Sequence, residues 1–385
     1  MTRLISILTT ILILSTLAVK VSAADNANEI ITEVGKTMAP DSRQIIYEVT
    51  GTSADNGLTV VKGLISEASV ADALRKALAE AGIDYVDSLT VAGTDRWATP
   101  LISVACLRTR PAHAGEMATQ ALMGMPLRVI EQRDDWTRVQ TPDGYIAWVT
   151  NSSIVRRSAD DMEQWRLAPR VVVTAIYQTR AYNSPTAKGL RDVVTDLVNG
   201  NIVSPTGKTE AGRTEIVTPD GRRGWVDSDD LTAIEEWADQ PFDAQKILDT
   251  AYSMEGTPYL WGGTSIKSLD CSGLAKVSYL SNGIILMRDA SQQALTGTRI
   301  EAEDWPSCKA GDLLFFGNAK TGRVTHVAIY DHDGDYVHSS GRVKRNSVDP
   351  ESPSYLTKPF LHAVRIAGNE GTRGITRAKD HPWYF

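Results

Sequence analysis

The chain has 385 residues, of which 42% are hydrophobic and 23% charged, and its formal net charge is −7. A chain of this length predicts two or more domains rather than one core. Its acidic balance and scattered basic residues exclude a strongly basic nucleic-acid-binding protein, so no nucleic-acid partner is expected.

The N-terminal segment, residues 1–23, has the pattern of a secretory signal peptide. Arg3 precedes an apolar run at 4–19, and the Val-Ser-Ala sequence ending at Ala23 is typical of a cleavage site. The run is short for a membrane span, although Lys20 leaves an uncleaved anchor open. We therefore expect an exported protein, periplasmic or extracellular, with no stable membrane insertion after signal cleavage.

Residues 24–100 predict a small N-terminal α/β element. Apolar residues at helical spacing favour a helix at 70–80, because they would form one buried face. Alternating apolar and polar residues favour strands at 44–50, 58–61 and 85–91.

A short internal repeat follows. The segments 141–149 and 218–226 both contain Thr-Pro-Asp-Gly and then, four residues after the glycine, Trp-Val. Pro-Asp-Gly between apolar runs predicts a turn, because proline presets one φ and glycine accepts a positive φ. We expect two small barrels of short strands, at 101–158 and 166–236, the second with a longer insertion at 182–212.

The C-terminal region, 240–385, contains a cysteine at the predicted start of a helix. Asp270 is suited to cap that helix, which places Cys271 in the first turn, and Gly283 follows its end. The buried face would consist of Leu274, Val277 and Leu280. Since the helix dipole favours a thiolate at this end, Cys271 is a candidate nucleophile.

Two histidines lie further along, on a predicted hairpin whose loop is at 332–334. A two-residue turn would place His326 and His338 on opposite faces. A three-residue loop with Gly334 in the left-handed conformation pairs Ala328 with His338 and places both imidazoles on one face. Because an imidazole can activate a thiol and a second one can orient the first, we predict an odd number of loop residues or a bulge within this hairpin.

Five sequence blocks occur in order: PYLWGG at 258–263, DCSGL at 270–274, GDLLFF at 311–316, HVAI at 326–329 and VHSS at 337–340. Over residues 240–367 this set resembles the NlpC family of papain-like bacterial endopeptidases, which cut cell-wall peptides. The resemblance implies that Cys271 is the nucleophile, His326 its base and His338 the residue that orients the base. Tyr259 falls on the tyrosine beside the nucleophile. Any one of these residues alone fits a buried cysteine or a structural histidine, but together they favour catalysis.

The fold implied is α+β. A papain-like NlpC cysteine peptidase domain at 240–385 is preceded by two small SH3-like β-barrels and a small N-terminal α/β element. In one branch of the family the first barrel bounds the active-site groove. Those enzymes require a free N-terminal L-alanine and cleave L-Ala-γ-D-Glu from the diamino acid that follows. We therefore expect murein peptides as substrates.

That resemblance also implies substrate-binding residues: Glu116, Tyr145, Ser272, Asp289 and Ser291. A buried substrate ammonium needs a carboxylate partner, which Glu116 and Asp289 could supply. The alternatives are an exposed surface glutamate at 116 and a helix cap at 289.

Neither a metal nor another cofactor is expected. The cysteines are not in paired spacing, and no His-Glu-x-x-His motif appears. Whether Cys106 and Cys308 pair stays open, although two buried thiols are favoured. Two other functions also stay open: a wall-binding scaffold with an inactive peptidase fold, and a thiol amidase or acyltransferase. Surface or packing roles are expected for His113, His332, His362 and His381.

Overall fold

The structure is a computed structural model that describes residues 23–385, in two compact units at 23–92 and 93–385. Apart from Ala23, the predicted signal peptide lies outside the described residues. Within the described range, no helix is both long enough and apolar enough to cross a membrane.

The first unit contains three strands and two helices. They are α1 (Ala23–Met38), β1 (Tyr47–Ser53), β2 (Thr59–Ile65), α2 (Ala68–Glu80) and β3 (Tyr85–Val91). Strand β2 is central, antiparallel to β1 and parallel to β3. The first predicted strand is shifted toward the C-terminus, and α1 was not predicted. Its apolar residues Ala27 and Ile31 lie one turn apart and are buried with Leu74 and Leu78 of α2.

A seven-stranded sheet follows, which we call the first barrel. Its strands are β4 (Arg96–Pro100), β5 (Val104–Arg108), β6 (Met117–Leu122), β7 (Leu127–Arg133), β8 (Trp136–Gln140), β9 (Ile146–Thr150) and β10 (Ile154–Ser158). Their order is β10-β4-β7-β8-β9-β5-β6. The predicted boundary between residues 100 and 101 is wrong, because β4 pairs with β7 and β10 inside this sheet.

Helix α3 (Ala159–Leu167) leads to a second seven-stranded sheet, the second barrel. Its strands are β11 (Val171–Val173), β12 (Gln178–Tyr182), β13 (Val193–Val198), β14 (Ile202–Glu210), β15 (Arg213–Val217), β16 (Arg223–Asp227) and β17 (Leu231–Ala233). Read from β17, the order is β17-β11-β14-β15-β16-β12-β13, which is the order of the first barrel strand for strand. The predicted insertion at 182–212 consists largely of β13 and β14.

The C-terminal region combines helices with a six-stranded antiparallel sheet. Its helices are α4 (Ile234–Asp239), α5 (Ala244–Ser253), α6 (Cys271–Leu280) and α7 (Ala290–Gln293). Its strands are β18 (Thr264–Ser265), β19 (Ser268–Leu269), β20 (Ile284–Leu286), β21 (Thr298–Glu301), β22 (Leu313–Asn318), β23 (Arg323–Tyr330), β24 (Asp335–Ser340), β25 (Arg342–Ser347), β26 (Phe360–Arg365) and β27 (Ile375–Arg377). Short 3₁₀ helices lie at Asn151–Ser153, Leu190–Asp192, Ser228–Asp230, Ala302–Ser307 and Ala378–Asp380.

The main sheet has the order β21-β26-β22-β23-β24-β25, and α6 packs against β23 and β24. Leu274 and Val277 of α6 are buried with Phe315, Val327 and Val337 of the sheet. This packing places the first turn of α6 beside the strands that contain His326 and His338. The result is the α+β fold expected from the sequence.

Candidate active site

Helix α6 begins at Cys271 because Asp270 caps it, as predicted. The Gly273 amide donates a hydrogen bond to Asp270 Oδ1 at 2.7 Å. A side chain at position 273 would not fit, since its Cβ would lie 1.9 Å from the Gly263 carbonyl oxygen. The close approach of helix and loop therefore requires glycine two residues after the cysteine.

Asp270 also forms a buried ion pair with Arg288, whose side chain is 2% exposed. Arg288 Nη2 lies 2.5 Å from Asp270 Oδ2. That oxygen also accepts a hydrogen bond from the Gly262 amide at 3.0 Å, and Arg288 Nε donates to the Ala118 carbonyl of β6 at 3.1 Å. One ion pair thus connects the start of α6, the loop that contains Tyr259, and the first barrel.

The histidine hairpin has the predicted register. Ile329 lies opposite Val337, and Tyr330 lies opposite Tyr336. In the same register, Ala328 corresponds to His338. Gly334 has a φ of 87° in the left-handed region. The two imidazoles consequently share a face, with His326 Nε2 2.7 Å from His338 Nδ1.

Asn346 on β25 fixes which ring nitrogens carry protons. Its Nδ2 donates to the Ser354 carbonyl at 2.9 Å, so its Oδ1 must be the atom 3.0 Å from His338 Nε2. An amide oxygen only accepts, hence His338 Nε2 is protonated and, in the neutral ring, Nδ1 is an acceptor. His326 Nε2–H then donates to it. His326 is left with an unprotonated Nδ1, the form that can accept a proton.

Burial determines the charge of these groups. It lowers the pKa of His338 to about 4 and the pKa of His326 further, so both imidazoles are neutral near pH 7. Burial, and then the Asp270 charge, raise the pKa of Cys271 to about 11. The amides of Val327 and Ser272 hydrogen-bond to the sulfur and oppose that rise. The helix terminus favours a thiolate, but desolvation of the sulfur outweighs it, and the resting group is a thiol.

Burial raises the pKa of Tyr259, and negative charge on Cys271 raises the pKa of this phenol further. Tyr259 therefore lies close to the sulfur. Its phenol is protonated at neutral pH and is a hydrogen-bond donor. The backbone here is held by the Tyr259 amide, which donates to the Gly341 carbonyl at 3.0 Å. Two residues further along, Trp261 is 61% exposed.

The first barrel packs directly against this region. The Gln120 amide donates to Thr264 Oγ1, and the Thr264 amide donates to Gln120 Oε1, each at 2.9 Å. Lys276 of α6 forms an ion pair with Asp143 at 2.5 Å, where the Asp143 side chain is 3% exposed. Gly262 is so close to Met117 that a Cβ would lie 2.3 Å from its carbonyl oxygen. This barrel is thus part of the surroundings of Cys271.

The structure separates the residues expected to bind substrate. Glu116 is exposed and immediately precedes Met117. Tyr145 is 9% exposed and acts electrostatically on Arg288. Asp289 caps α7 in a capping box with Gln292. Its backbone contacts therefore agree with the alternative interpretation of this residue as a helix cap.

The two expected serine contacts differ. Ser272 is 4% exposed; its hydroxyl donates to Asp270 Oδ1 at 3.1 Å and accepts from Arg288 Nη1 at 2.9 Å. Its proton is therefore engaged inside the protein, which contradicts the expectation of a hydroxyl directed at substrate. Ser291 is exposed on α7.

Sequence reasoning missed Asn346 and gave no role to Arg288. Asn346 lies on a strand next to a predicted one, and no short motif marks it. Arg288 could have been found, because it directly follows the apolar run at 284–287, and a charged residue there suggests a buried partner.

The remaining polar candidates have structural roles. All three cysteines are free; Cys308 is buried but Cys106 is exposed, so the expectation of two buried thiols is wrong for Cys106. Within residues 23–385, no group of three or more His, Cys, Asp or Glu side chains is arranged to hold a metal ion. Packing or surface contacts account for the other histidines: His113 on Trp136, His332 with Asp331, His362 on Phe315, and His381 with the Pro142 carbonyl.

Comparison with protein-family models gives two matches. The NlpC/P60 family model matches residues 256–365, and a model described as a bacterial dipeptidyl-peptidase SH3 domain matches residues 107–154. The first range contains the cysteine, both histidines and Asn346. The second lies within the first barrel.

Curated relatives and a solved structure extend this result. The chain is 29% identical over 258 residues to a γ-D-glutamyl-L-lysine dipeptidyl-peptidase of Bacillus cereus, covering 63% of this chain and 74% of the relative. It is 29% identical over 276 residues to dipeptidyl-peptidase 6 of Lysinibacillus sphaericus, covering 66% and 92%. It is 36% identical over 123 residues to the probable endopeptidase NlpC of Escherichia coli, covering 31% and 76%. A crystal structure of an NlpC/P60 family protein from Bacillus cereus has the same fold, with a TM-score of 0.60 and 23% identity, covering 70% of this chain and 99% of that one.

Proposed function

Because the chain belongs to the NlpC/P60 family, we propose that it is a cysteine peptidase that hydrolyses the γ-D-glutamyl–diamino acid bond of murein peptides. The observation that carries this proposal is the relay from Asn346 through His338 to His326, in which each hydrogen bond determines the next. The relay ends at an unprotonated nitrogen on the residue next to Val327, whose amide binds the Cys271 sulfur.

Attack begins from a neutral thiol and a neutral imidazole. His326 accepts the Cys271 proton as the sulfur attacks the γ-glutamyl carbonyl carbon. Because both groups are neutral at rest, the proton moves to His326 as the sulfur–carbon bond forms, and the negative charge develops on the carbonyl oxygen. The imidazolium is stabilised through its Nε2–H, which donates to His338.

The tetrahedral oxyanion is stabilised by two donors at the start of α6. The Cys271 amide is the first helical residue and has no acceptor within the helix. The protonated Tyr259 phenol is the second donor. His326 then returns its proton to the leaving amine, and water hydrolyses the acyl-enzyme.

We place the free N-terminal ammonium of the substrate against the first barrel. Glu116 is exposed beside Met117, where the barrel contacts the loop that precedes Cys271, and forms no ion pair with another residue in the described part of the chain. Asp289 is 28% exposed in its side chain and supplies a second carboxylate. A barrel packed this closely against the loop that precedes Cys271 would crowd a glycan attached to that amine, which supports a requirement for free L-Ala-γ-D-Glu peptides.

We also propose that the enzyme acts outside the cytoplasm, after removal of residues 1–23. Cleavage after Ala23 leaves α1 with its buried residues Ala27 and Ile31 intact. Its substrates would be peptides released during wall turnover.

The test is product identification by mass spectrometry with a free L-Ala-γ-D-Glu-diamino acid tripeptide. We expect L-Ala-D-Glu and the free diamino acid. Cys271→Ala should abolish turnover, whereas Cys106→Ala, the same change at the exposed barrel thiol, should retain it. A transfer product instead of hydrolysis would indicate an acyltransferase, and an inert folded protein would indicate a scaffold.

A further inference from the structure

Two lysines lie beside the imidazole pair, near the edge of the main sheet where β24 pairs with β25. Lys344 on β25 is directly opposite His338 on β24, so their side chains share a face. Lys358 lies in the segment between β25 and β26. Its positive charge acts on His326, His338 and Cys271, and that of Lys344 acts on both histidines. The candidate catalytic groups therefore have a cationic flank.

Neither lysine has an acidic partner. Among residues 23–385, neither the Lys344 nor the Lys358 ammonium forms an ion pair, although both side chains are half-buried. Burial lowers the pKa of Lys358, since a partly desolvated ammonium without a carboxylate is unfavourable. Lys276, by contrast, is paired with Asp143. A cation that is half-buried and unpaired beside a reaction centre is suited to an anionic group supplied by a ligand.

A cavity of about 290 Å³ adjoins this flank. Lys358 is the one charged residue among those described that line it, and the lining includes Phe316, Tyr355 and Phe360. Phe316 also contacts the His326 ring, with 5.9 Å between ring centroids. The cavity and the candidate base therefore share one side chain as a wall.

The position of the cavity relative to His326 identifies which part of the substrate it can take. His326 must protonate the leaving amine, so the residue beyond the scissile bond has to lie next to this imidazole. The acyl part extends from Cys271 toward the first barrel, where Glu116 and Asp289 provide negative charge. Lys344 and Lys358 lie instead on the side of the histidines, so the acyl part and the leaving part of the substrate would meet opposite charges.

We propose that the Lys358 cavity is the subsite for the residue beyond the scissile bond, with Lys358 binding a carboxylate on it and Phe316 and Phe360 packing against its aliphatic chain. This inference rests on the proposed function and adds to it the recognition of the leaving part. Lys344 contributes positive charge from the neighbouring strand. Two carboxylates have the required chemistry: the C-terminal carboxylate of a short peptide, and the side-chain carboxylate of a dicarboxylic diamino acid.

The experiment compares wild type with Lys358→Gln on matched tripeptides. One pair differs in a free or amidated C-terminus, and the other ends in diaminopimelate or in lysine. We expect wild type to prefer the carboxylate-bearing member of at least one pair by about tenfold in kcat/KM, as for a charge-assisted hydrogen bond. Lys358→Gln should remove that preference, mainly through KM. The pair of peptides between which the variant no longer discriminates identifies which carboxylate Lys358 binds.

The control is Lys320→Gln, an exposed lysine on the turn between β22 and β23, which should leave every ratio unchanged. If Lys358→Gln slows hydrolysis of all four peptides equally, the lysine acts only on the histidines and the subsite is refuted. The subsite is also refuted if the wild-type enzyme shows no preference within either pair of peptides. If wild type hydrolyses none of them, the proposed function fails, and this inference fails with it.

Discussion

The two barrels have the same strand order and the same Thr-Pro-Asp-Gly turn, but the turns contact different partners. In each, the threonine hydroxyl hydrogen-bonds to the aspartate. The other oxygen of Asp143 is buried against Lys276 of α6, the helix that begins with Cys271. The corresponding oxygen of Asp220 binds Arg222 of its own turn.

The difference lies in what surrounds each sheet rather than in the sheet itself. The first barrel contacts the catalytic region through buried groups, including Gln120 with Thr264 and Arg288 with the Ala118 carbonyl. The second reaches it through Val198, which is buried in the same core as Leu274, and through an ion pair between Asp196 and Lys267, both about two-fifths exposed. A duplicated fold thus lies once against the candidate active site and once further from it.

Removing the aspartate from each turn tests this difference most strongly. Asp143→Asn leaves the Lys276 ammonium without its partner, and a buried pair broken in this way costs about 3–5 kcal/mol. Because 17% of the Lys276 side chain is exposed, we expect about 2–3 kcal/mol in the free energy of unfolding of the 93–385 unit, measured by urea denaturation.

The matched change, Asp220→Asn, breaks a more exposed pair and should cost less than about 1 kcal/mol. Equal losses for the two variants would mean that the Asp143–Lys276 pair contributes no more than a surface contact. The two barrels would then be equivalent in their coupling to the rest of the unit.

Asn346 offers a way to separate chemistry from barrel recognition, since its side-chain hydrogen bonds join His338 and the Ser354 carbonyl, both in the C-terminal region. Asn346→Ala removes the acceptor that fixes the His338 tautomer, and we expect kcat to fall about 10- to 100-fold, the range for losing a partner that orients a functional histidine. KM and the preference for a free amine should not change. A purely structural role would instead lower stability and leave kcat per folded molecule intact.

Asn346→Asp provides a conservative control with a pH readout. It keeps an acceptor for His338 Nε2, so its kcat should exceed that of the alanine variant. The new negative charge raises the pKa of His338, so the protonated, inactive form persists to higher pH. The acid limb of the pH profile of kcat/KM should therefore move to higher pH. An acid limb that does not move would show that protonation of His338 does not control activity.

Glu116→Gln is expected to have the smallest effect and the opposite kinetic signature. Loss of a charge-assisted contact to the substrate ammonium should raise KM by about tenfold or more with little change in kcat. Glu210→Gln makes the same change at an exposed strand position of the second barrel and should leave KM unchanged. If both variants retain the wild-type KM, Glu116 is an ordinary surface residue.

Local sequence signals predicted much of the catalytic core. The N-cap at Asp270 and the loop at 332–334 with Gly334 in the left-handed conformation depend on backbone geometry that short motifs encode. They were sufficient to place His326 and His338 on one face. The repeated turn likewise predicted two barrels.

Long-range burial was not readable in the same way. Arg288, the Asp143–Lys276 pair and the unpaired Lys358 acquire their character only when distant segments pack together. The protonation state of Cys271 could not be decided from sequence for the same reason, because a helix terminus is visible in sequence whereas desolvation of the sulfur depends on the folded surroundings.

The central claim is that the first barrel forms one side of the catalytic groove and restricts it to peptides with a free N-terminus. The most direct measurement is kcat/KM of the wild-type enzyme for L-Ala-γ-D-Glu-diamino acid and for the same tripeptide with its amine acylated. The account predicts hydrolysis of the free peptide and a loss of about 100-fold or more for the acylated one, because both the ammonium contact and the space beside the barrel are lost. Equal rates for the two peptides would contradict it.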